Sequence, residues 1–278
     1  AMSGCISGVQ ERIRDKAPMA IYVHCNAHCL DLVLQEAGRS VPFVRDALSL
    51  VHDIGTFLNA SALRRSHFSE VQRKLIEDKR ISAEESVDVQ ILVENDDEGS
   101  DETTSNTVMS DSKSGIGVRK LCSTRWLART PALQDVLRAY DVLQMCFEDF
   151  AQSSGASHAH ANGIAVILCK SLSYLGIYVS LLVFRRAEQV SRRLQQRGIM
   201  LKVAMDAVAE LREYYVQMRT DETWDEIWQH VISKSKELDL EPPQLTRVRK
   251  PPRKLEQTVT VTAPCQFSDV KIKHKVQY

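Results

Sequence analysis

The sequence predicts a mostly α-helical protein, and three observations carry that expectation. Apolar residues recur at three- and four-residue spacing through most of the chain, the period of one helical face. Only one short run, Met19 to Val23, is rich enough in β-formers to make a strand. Pro18, Gly38 and Gly198 stand where helical patterns stop.

Taken in order, residues 4–16 read as a short helix with Ile6, Val9 and Ile13 on one stripe and Pro18 to end it. After the short strand, a helix starts at Asn26 or its neighbour, with Leu30, Val33, Leu34 and Ala37 in register and Gly38 as its expected stop. The next runs from about Val41 to Leu58 on Val44, Leu48, Val51 and Leu58, and a weaker one covers Ser61 to Asp78. Residues 80–117 are poor in aromatics and rich in Asp, Glu, Ser, Thr and Gly, the composition of a disordered or loop insertion. Thr130 is the expected cap of a helix with Pro131 in its first position. Its stripe of Leu133, Val136, Leu137, Tyr140, Leu143, Phe147 and Phe150 is the clearest amphipathic pattern present. Residues 153–162 read as a connection, followed by helices over about 163–176 and 178–197 that Gly198 closes. A helix from Met200 to Met218 aligns Leu201, Met205, Val208, Leu211 and Tyr215, and the last, after Asp221, carries Trp224, Ile227, Trp228 and Val231. Beyond Leu240, Pro242-Pro243, Arg247-Val248-Arg249-Lys250 and Pro251-Pro252 without periodicity predict a linker.

Length and charge narrow the class without naming a partner. A chain of 278 residues with 44% hydrophobic and 26% charged residues has the make-up of a soluble globular protein of one or two domains. Net charge is zero, but unevenly spread: residues 81–117 hold ten acids and one lysine, and residues 240–278 hold eight basic and three acidic residues. The acidic block reads as a solvated insertion rather than a binding surface. Seven scattered cysteines predict reduced thiols of an intracellular protein, not a disulfide framework. Gly163 to Phe184 is mostly apolar, but Lys170, two glycines and three serines interrupt it, so a buried helix pair is expected instead of a membrane span. The first residues do not read as a signal peptide, and Ala1 ahead of Met2 is read as the start of a piece of a longer product.

Two constellations carry chemistry. Cys25 and His28 are three apart and share one face of a helical turn, with His24 and Cys29 beside them. Sulfur and imidazole this close raise the question of zinc, but a structural zinc needs four ligands, and no second Cys/His pair has the spacing; His158 and His160 sit in an expected loop. Two other accounts stand beside it. The cysteines pack as small apolar groups while a histidine satisfies a carbonyl, or the open helix start contacts a phosphate. Arg125-Trp126 also has two accounts: a core anchor ahead of a helix, or a guanidinium on phosphate with the indole stacked on an unpaired base. No nucleophile elbow, phosphate loop or paired metal carboxylates accompany them, and Arg247-Val248-Arg249-Lys250 reads either as an import or phosphate patch or as an ordinary basic linker.

On these residues the chain resembles the hAT superfamily of transposases and the proteins derived from them, often described as zinc-finger MYM-type or TTF-type. Met2-Ser3-Gly4, followed by Gly8-Val9-Gln10 and Ile13, is similar to the segment after the family's second catalytic aspartate. Cys25 and His28 fall on its Cys-x-x-His element, and Ser123-Thr124-Arg125-Trp126 on its Arg-Trp element. Ala187 to Trp228, with Leu194-Gln195, Met205, Met218 and Trp224-Asp225, resembles the family's helical insertion domain, and the proline-basic linker fits as well. The motifs occur in the family's order, and the similarity spans nearly the whole chain, weakest over 80–117.

The resemblance implies a helical insertion domain attached to a partial RNase H-like α/β core: a core remnant over 1–79, an acidic insertion over 80–117, the insertion domain over 118–239 and a basic proline-rich linker over 240–278. It implies that Cys25, His28, Arg125 and Trp126 lie against DNA, Trp126 stacking on a flipped base, in a nuclear protein. The family's Asp-Asp-Glu triad holds metal for strand transfer. The chain starts just after the second aspartate and stops before the glutamate-bearing, dimerising segment, so the expectation is an inactive piece. Magnesium belongs only with the complete core, and self-association with the C-terminal segment. Neither a membrane nor a small-molecule substrate is expected. The competing expectation is a domesticated protein–protein interaction scaffold, which the neutral net charge favours.

Overall fold

The computed structural model describes residues 8–21, 25–85, 117–121, 129–153, 155 and 157–244. Among these the regular elements are all helices: α1 (Val9–Lys16), α2 (Asn26–Ser40), α3 (Pro42–Asn59), α4 (Ala62–Glu85), α5 (Arg129–Arg138), α6 (Tyr140–Gln152), α7 (His158–Leu168), α8 (Ser171–Leu194), α9 (Leu201–Met218) and α10 (Asp221–Glu237). The mostly α expectation is met. The strand expected over Met19 to Val23 is not formed by its described part: Met19 lies in a turn closed by the Ala20 amide on the Ala17 carbonyl at 2.9 Å, and Ile21 is exposed. No neighbouring strand among the described residues offers it a ladder partner. Tyr22 and Val23 lie outside the described residues.

Boundaries moved where a stronger local constraint competed with the one read from sequence. α2 passes through Gly38 to Ser40, because Pro42 is what ends it: the residue before a proline is driven to extended backbone, and Val41 sits at φ −96°, ψ 107°. Pro42 then opens α3 at a position where its missing N–H costs nothing. The long stripe from Leu133 to Phe150 is split at Ala139 (φ −105°, ψ 22°) into α5 and α6, yet Leu133, Val136, Leu143 and Phe147 are all fully buried. Each such side chain contributes about 1.5–3 kcal/mol by leaving water. Pro131 lies in the first turn of α5, but Thr130 is inside the helix and buried rather than capping it. α7 begins at His158, within the expected connection, and the break before α8 falls at Cys169–Lys170 instead of near residue 177. α4 is a 24-residue helix that continues past Asp78 to Glu85, into the acidic stretch. No described helix is long and apolar enough to cross a membrane.

Capping is best developed on α10. Thr220 accepts a hydrogen bond from the Thr223 amide at 3.3 Å, Asp221 and Glu222 sit at the positive end of the helix dipole, and Lys234 and Lys236 at the negative end. Its buried face, Trp224, Ile227 and Val231, locks it against α8 and α9. The chain after α10 turns through Leu240, which is buried, and Glu241 forms an isolated parallel bridge with Lys170: the Glu241 amide donates to the Cys169 carbonyl at 2.7 Å and the Ser171 amide to the Glu241 carbonyl at 3.2 Å. The expected linker thus starts with packed residues.

One core joins the helices on both sides of the acidic stretch, with Val51, Ile54, Phe57 and Phe68 packed into the cluster that holds Leu133, Leu143, Phe147, Leu175 and Ile177. α3 and α8 approach each other closely at Gly176. A Cβ on Gly176 would lie 2.9 Å from both the Ala47 Cβ and the Phe43 carbonyl oxygen. Helix propensity alone would reward Gly176→Ala by up to about 1 kcal/mol, but wedging two packed helices apart costs about 1–3 kcal/mol. We expect Gly176→Ala to lower stability by roughly 1–2 kcal/mol in urea denaturation; a variant more stable than the parent would show that the α3–α8 contact is looser than described.

Candidate functional site

Cys25 occupies the N-cap of α2 with extended backbone (φ −70°, ψ 115°), and its side chain makes no capping hydrogen bond. The first intrahelical amide to find a partner is that of Cys29, on the Cys25 carbonyl at 3.0 Å, which leaves the preceding amides of the turn open as at any helix start. Cys25, His28 and Cys29 are exposed, while Ala27 on the same turn is buried. The account in which these cysteines pack as small apolar groups is therefore overturned: the buried position is taken by Ala27, and the thiols and imidazole face solvent. His158 and His160, expected in a loop, lie on α7, and the His160 ring meets Phe57 edge-on at 5.5 Å. Among the described residues, no three His, Cys, Asp or Glu side chains converge on one point, so they do not offer the donor set that a zinc site or a carboxylate triad for magnesium requires.

Arg125 and Trp126 lie outside the described residues; what the structure shows is how the chain is held on either side of them. Residues 117–121 pass across α3, where Gly55 leaves room for backbone: a Cβ there would stand 2.9 Å from the Arg119 carbonyl oxygen. Asn59 Nδ2 donates to the Val118 carbonyl at 3.1 Å, and His52 Nδ1 lies 3.1 Å from the Leu121 carbonyl oxygen. Asp135, nearly buried, accepts the Arg119 amide at 3.2 Å and pairs with its guanidinium at 3.5 Å. Val118 and Leu121 are buried. Downstream, the chain resumes at Arg129 in the first turn of α5.

That turn faces α2 and α8 across a small polar chamber that sequence reasoning missed. Asp31, Thr130, Glu188 and Ser191 line it with Leu30, Leu34, Phe184 and Ala187. Arg129 is buried, its guanidinium 5.6 Å from the Phe184 ring centroid. Glu188 accepts Arg192 Nη2 at 2.7 Å through one oxygen; its other oxygen and the Thr130 hydroxyl are buried with no hydrogen-bond partner among the described residues. The chamber measures about 10 Å³, so nothing larger than a water molecule fits. The available signal in the sequence was weak: Asp31 and Glu188 are lone acids on the apolar faces of α2 and α8, which reads equally as an ordinary helix edge.

A larger groove opens on the other side of α2. Cys29, Leu30 and Val33 form one wall, and Leu194, Leu201, Ala204, Met205, Val208, Ala209, Leu211 and Arg212 the other. The stripe read along α9 does not face the core throughout: Leu201 and Met205 are 74% and 63% exposed, whereas Ala207, Leu211 and Met218 are buried. α9 instead reaches α8 partly through its tyrosines, with Tyr214 and Tyr215 donating to the Leu182 and Val183 carbonyls at 3.3 and 2.8 Å.

No family model, curated protein or solved structure matches this chain.

Asp31 supplies a pH test of the chamber. Partial burial pushes its carboxyl up to about 6, against the opposing pull of His28 and then of Arg129. A folded-state value above the unfolded one means that folding favours the protonated form, so stability is greatest below the ordinary carboxylate range and falls as pH rises through 6. Replacing Asp31 by Asn should raise the Tm at pH 7.5, leave it nearly unchanged at pH 4 and flatten the curve between. An unaltered pH profile would mean that Asp31 is fully solvated.

Proposed function

We propose that this chain is a helical piece of a hAT-transposase-derived nuclear protein that contacts DNA without carrying out strand transfer. The observation that supports it is the first turn of α2, where Cys25 and His28, the residues of the Cys-x-x-His element, stand together in solvent beside open backbone amides. Such an end favours an anion, and phosphate contacts of this kind orient a duplex without reading its sequence. In this reading Arg125 and Trp126, reached from the clamped segment 117–121, supply a phosphate contact and a stacking surface. Residues 1–79 would be a remnant of an RNase H-like core leading into the helical region, and residues 118–239 would be the insertion domain. In the family the metal chemistry belongs to an acid triad and self-association to a dimerising segment.

A second reading, a protein interaction scaffold with no nucleic-acid role, is favoured by a different observation: the exposed apolar groove along α9. Large apolar patches on a soluble surface mark contact sites more often than accidents.

DNA affinity measured against salt separates the two. A phosphate-contacting surface weakens as salt rises, in proportion to the counterions released. His28→Ala should reduce the affinity at low salt and shallow that slope, and Trp126→Ala should cost about 1–3 kcal/mol on substrates with an unpaired base. Absence of salt-dependent binding by the parent would sink the DNA reading; strand transfer on hairpin-forming ends by this chain would sink its inactive half.

A further inference from the structure

We propose that the groove between α2 and α9 docks an amphipathic helix from a protein partner, one whose apolar stripe carries carboxylates near both ends. The proposal rests on the scaffold reading and does not use Cys25 or His28. The groove holds about 560 Å³ of open space. Its lining is apolar apart from Arg212 and the Cys29 thiol, so it lacks the several convergent polar groups that fix a small ligand. Leu201, Met205 and Val208 stand at i, i+4 and i+7 on α9, and Val33 of α2 faces the same space at 66% exposure. That spacing is what a helix laid in a groove meets with its own apolar stripe.

Charge selects the kind of helix. From residue 189 to 205 the chain carries Arg192, Arg193, Arg197 and Lys202 and no acid. Arg192 is paired with Glu188 and Arg193 with Glu210. Arg197, in the turn between Leu194 and Leu201, and Arg212, at the opposite end of the lining, have no ion pair among the described residues. The acids of α9, Asp206, Glu210 and Glu213, lie roughly 120° or more around the helix from Leu201 at 3.6 residues per turn. Arg212 thus lines one end of the groove and the turn that carries Arg197 leads into the other, with roughly 16 Å of α9 from Leu201 to Arg212 at 1.5 Å per residue. A three-turn helix with a carboxylate at each end matches both the length and the charges.

The probe is a synthetic 14-residue helical peptide with leucines at i, i+4 and i+7 and glutamates in its first and last turns, labelled for fluorescence anisotropy against the full chain. We expect saturable binding that Met205→Asp weakens at least roughly tenfold, with slower alkylation of Cys29 when the peptide is bound. Because Met205 is exposed, circular dichroism of this variant should match the parent. A peptide with lysines in place of the glutamates should bind more weakly, and Arg212→Glu should reverse the order of the two. Equal affinity for both peptides, or no protection of Cys29, overturns the proposal. So does a concentration-dependent dimer that Met205→Asp abolishes, which would make a second copy the occupant, or binding to vesicles of anionic lipid with none to the peptide. DNA affinity should be the same in Met205→Asp and the parent, so failure of the peptide leaves the DNA reading where it stood.

Discussion

The architecture depends on burying α8 along most of its length. Tyr174, Leu175, Ile177, Val179, Phe184, Ala187 and Val190 are all withdrawn from water on this one helix, and α2, α3, α5, α7, α9 and α10 each pack against it. A helix covered on so many sides has little choice over its polar groups, since each one desolvated without a partner costs more than a hydrogen bond returns. The solutions come from the helix itself and from its neighbours. Ser180 donates to the Gly176 carbonyl at 2.6 Å, Ser171 to the Glu241 carbonyl, and Tyr215 of α9 to the Val183 carbonyl. Gly176 then lets α3 approach closely enough to cover the middle.

The two candidate surfaces follow from how α2 leans on that helix. α2 commits Ala27, Leu34 and Gly38 to burial, which is a narrow stripe for a helix of 15 residues. On one side of the stripe lies the chamber of Asp31, Thr130 and Glu188, and on the other the apolar groove. Cys25 and His28 of the first turn line neither of the two, while Cys29 lines the groove. Asp31 sits at the edge of that seam, where burial pushes its carboxyl up against the opposing pull of His28, three residues earlier, and of Arg129.

Periodicity gave the buried faces at Leu133 to Phe147 and at Trp224 to Val231, although the first stripe runs over two helices, α5 and α6, where one was expected. It misplaced ends where two local signals competed. Gly38 looked like a stop but Pro42 acts as one, and the apolar run around residue 177 hid a break that backbone pairing with Glu241 places at Cys169–Lys170. The exposed half of the α9 stripe could not be told from core, because periodicity shows which residues share a face but not whether anything covers it. Cys25 and His28 were legible as neighbours on one turn; their exposure was not. The chamber was invisible for a plainer reason: Asp31, Thr130 and Glu188 come from three distant helices, and only packing brings them together.

The pairing of Glu241 with Lys170 makes α8, α9 and α10 an excursion that leaves and returns to nearly the same place. The backbone enters at Cys169 and re-emerges at Glu241, joined there by hydrogen bonds in both directions. Chain ends that meet are places where a circular permutation is tolerated. α8 within that excursion packs against α2, α3, α5 and α7, so a change in it reaches the whole molecule, whereas α9 and α10 lean chiefly on α8 and on each other and leave more room for insertion.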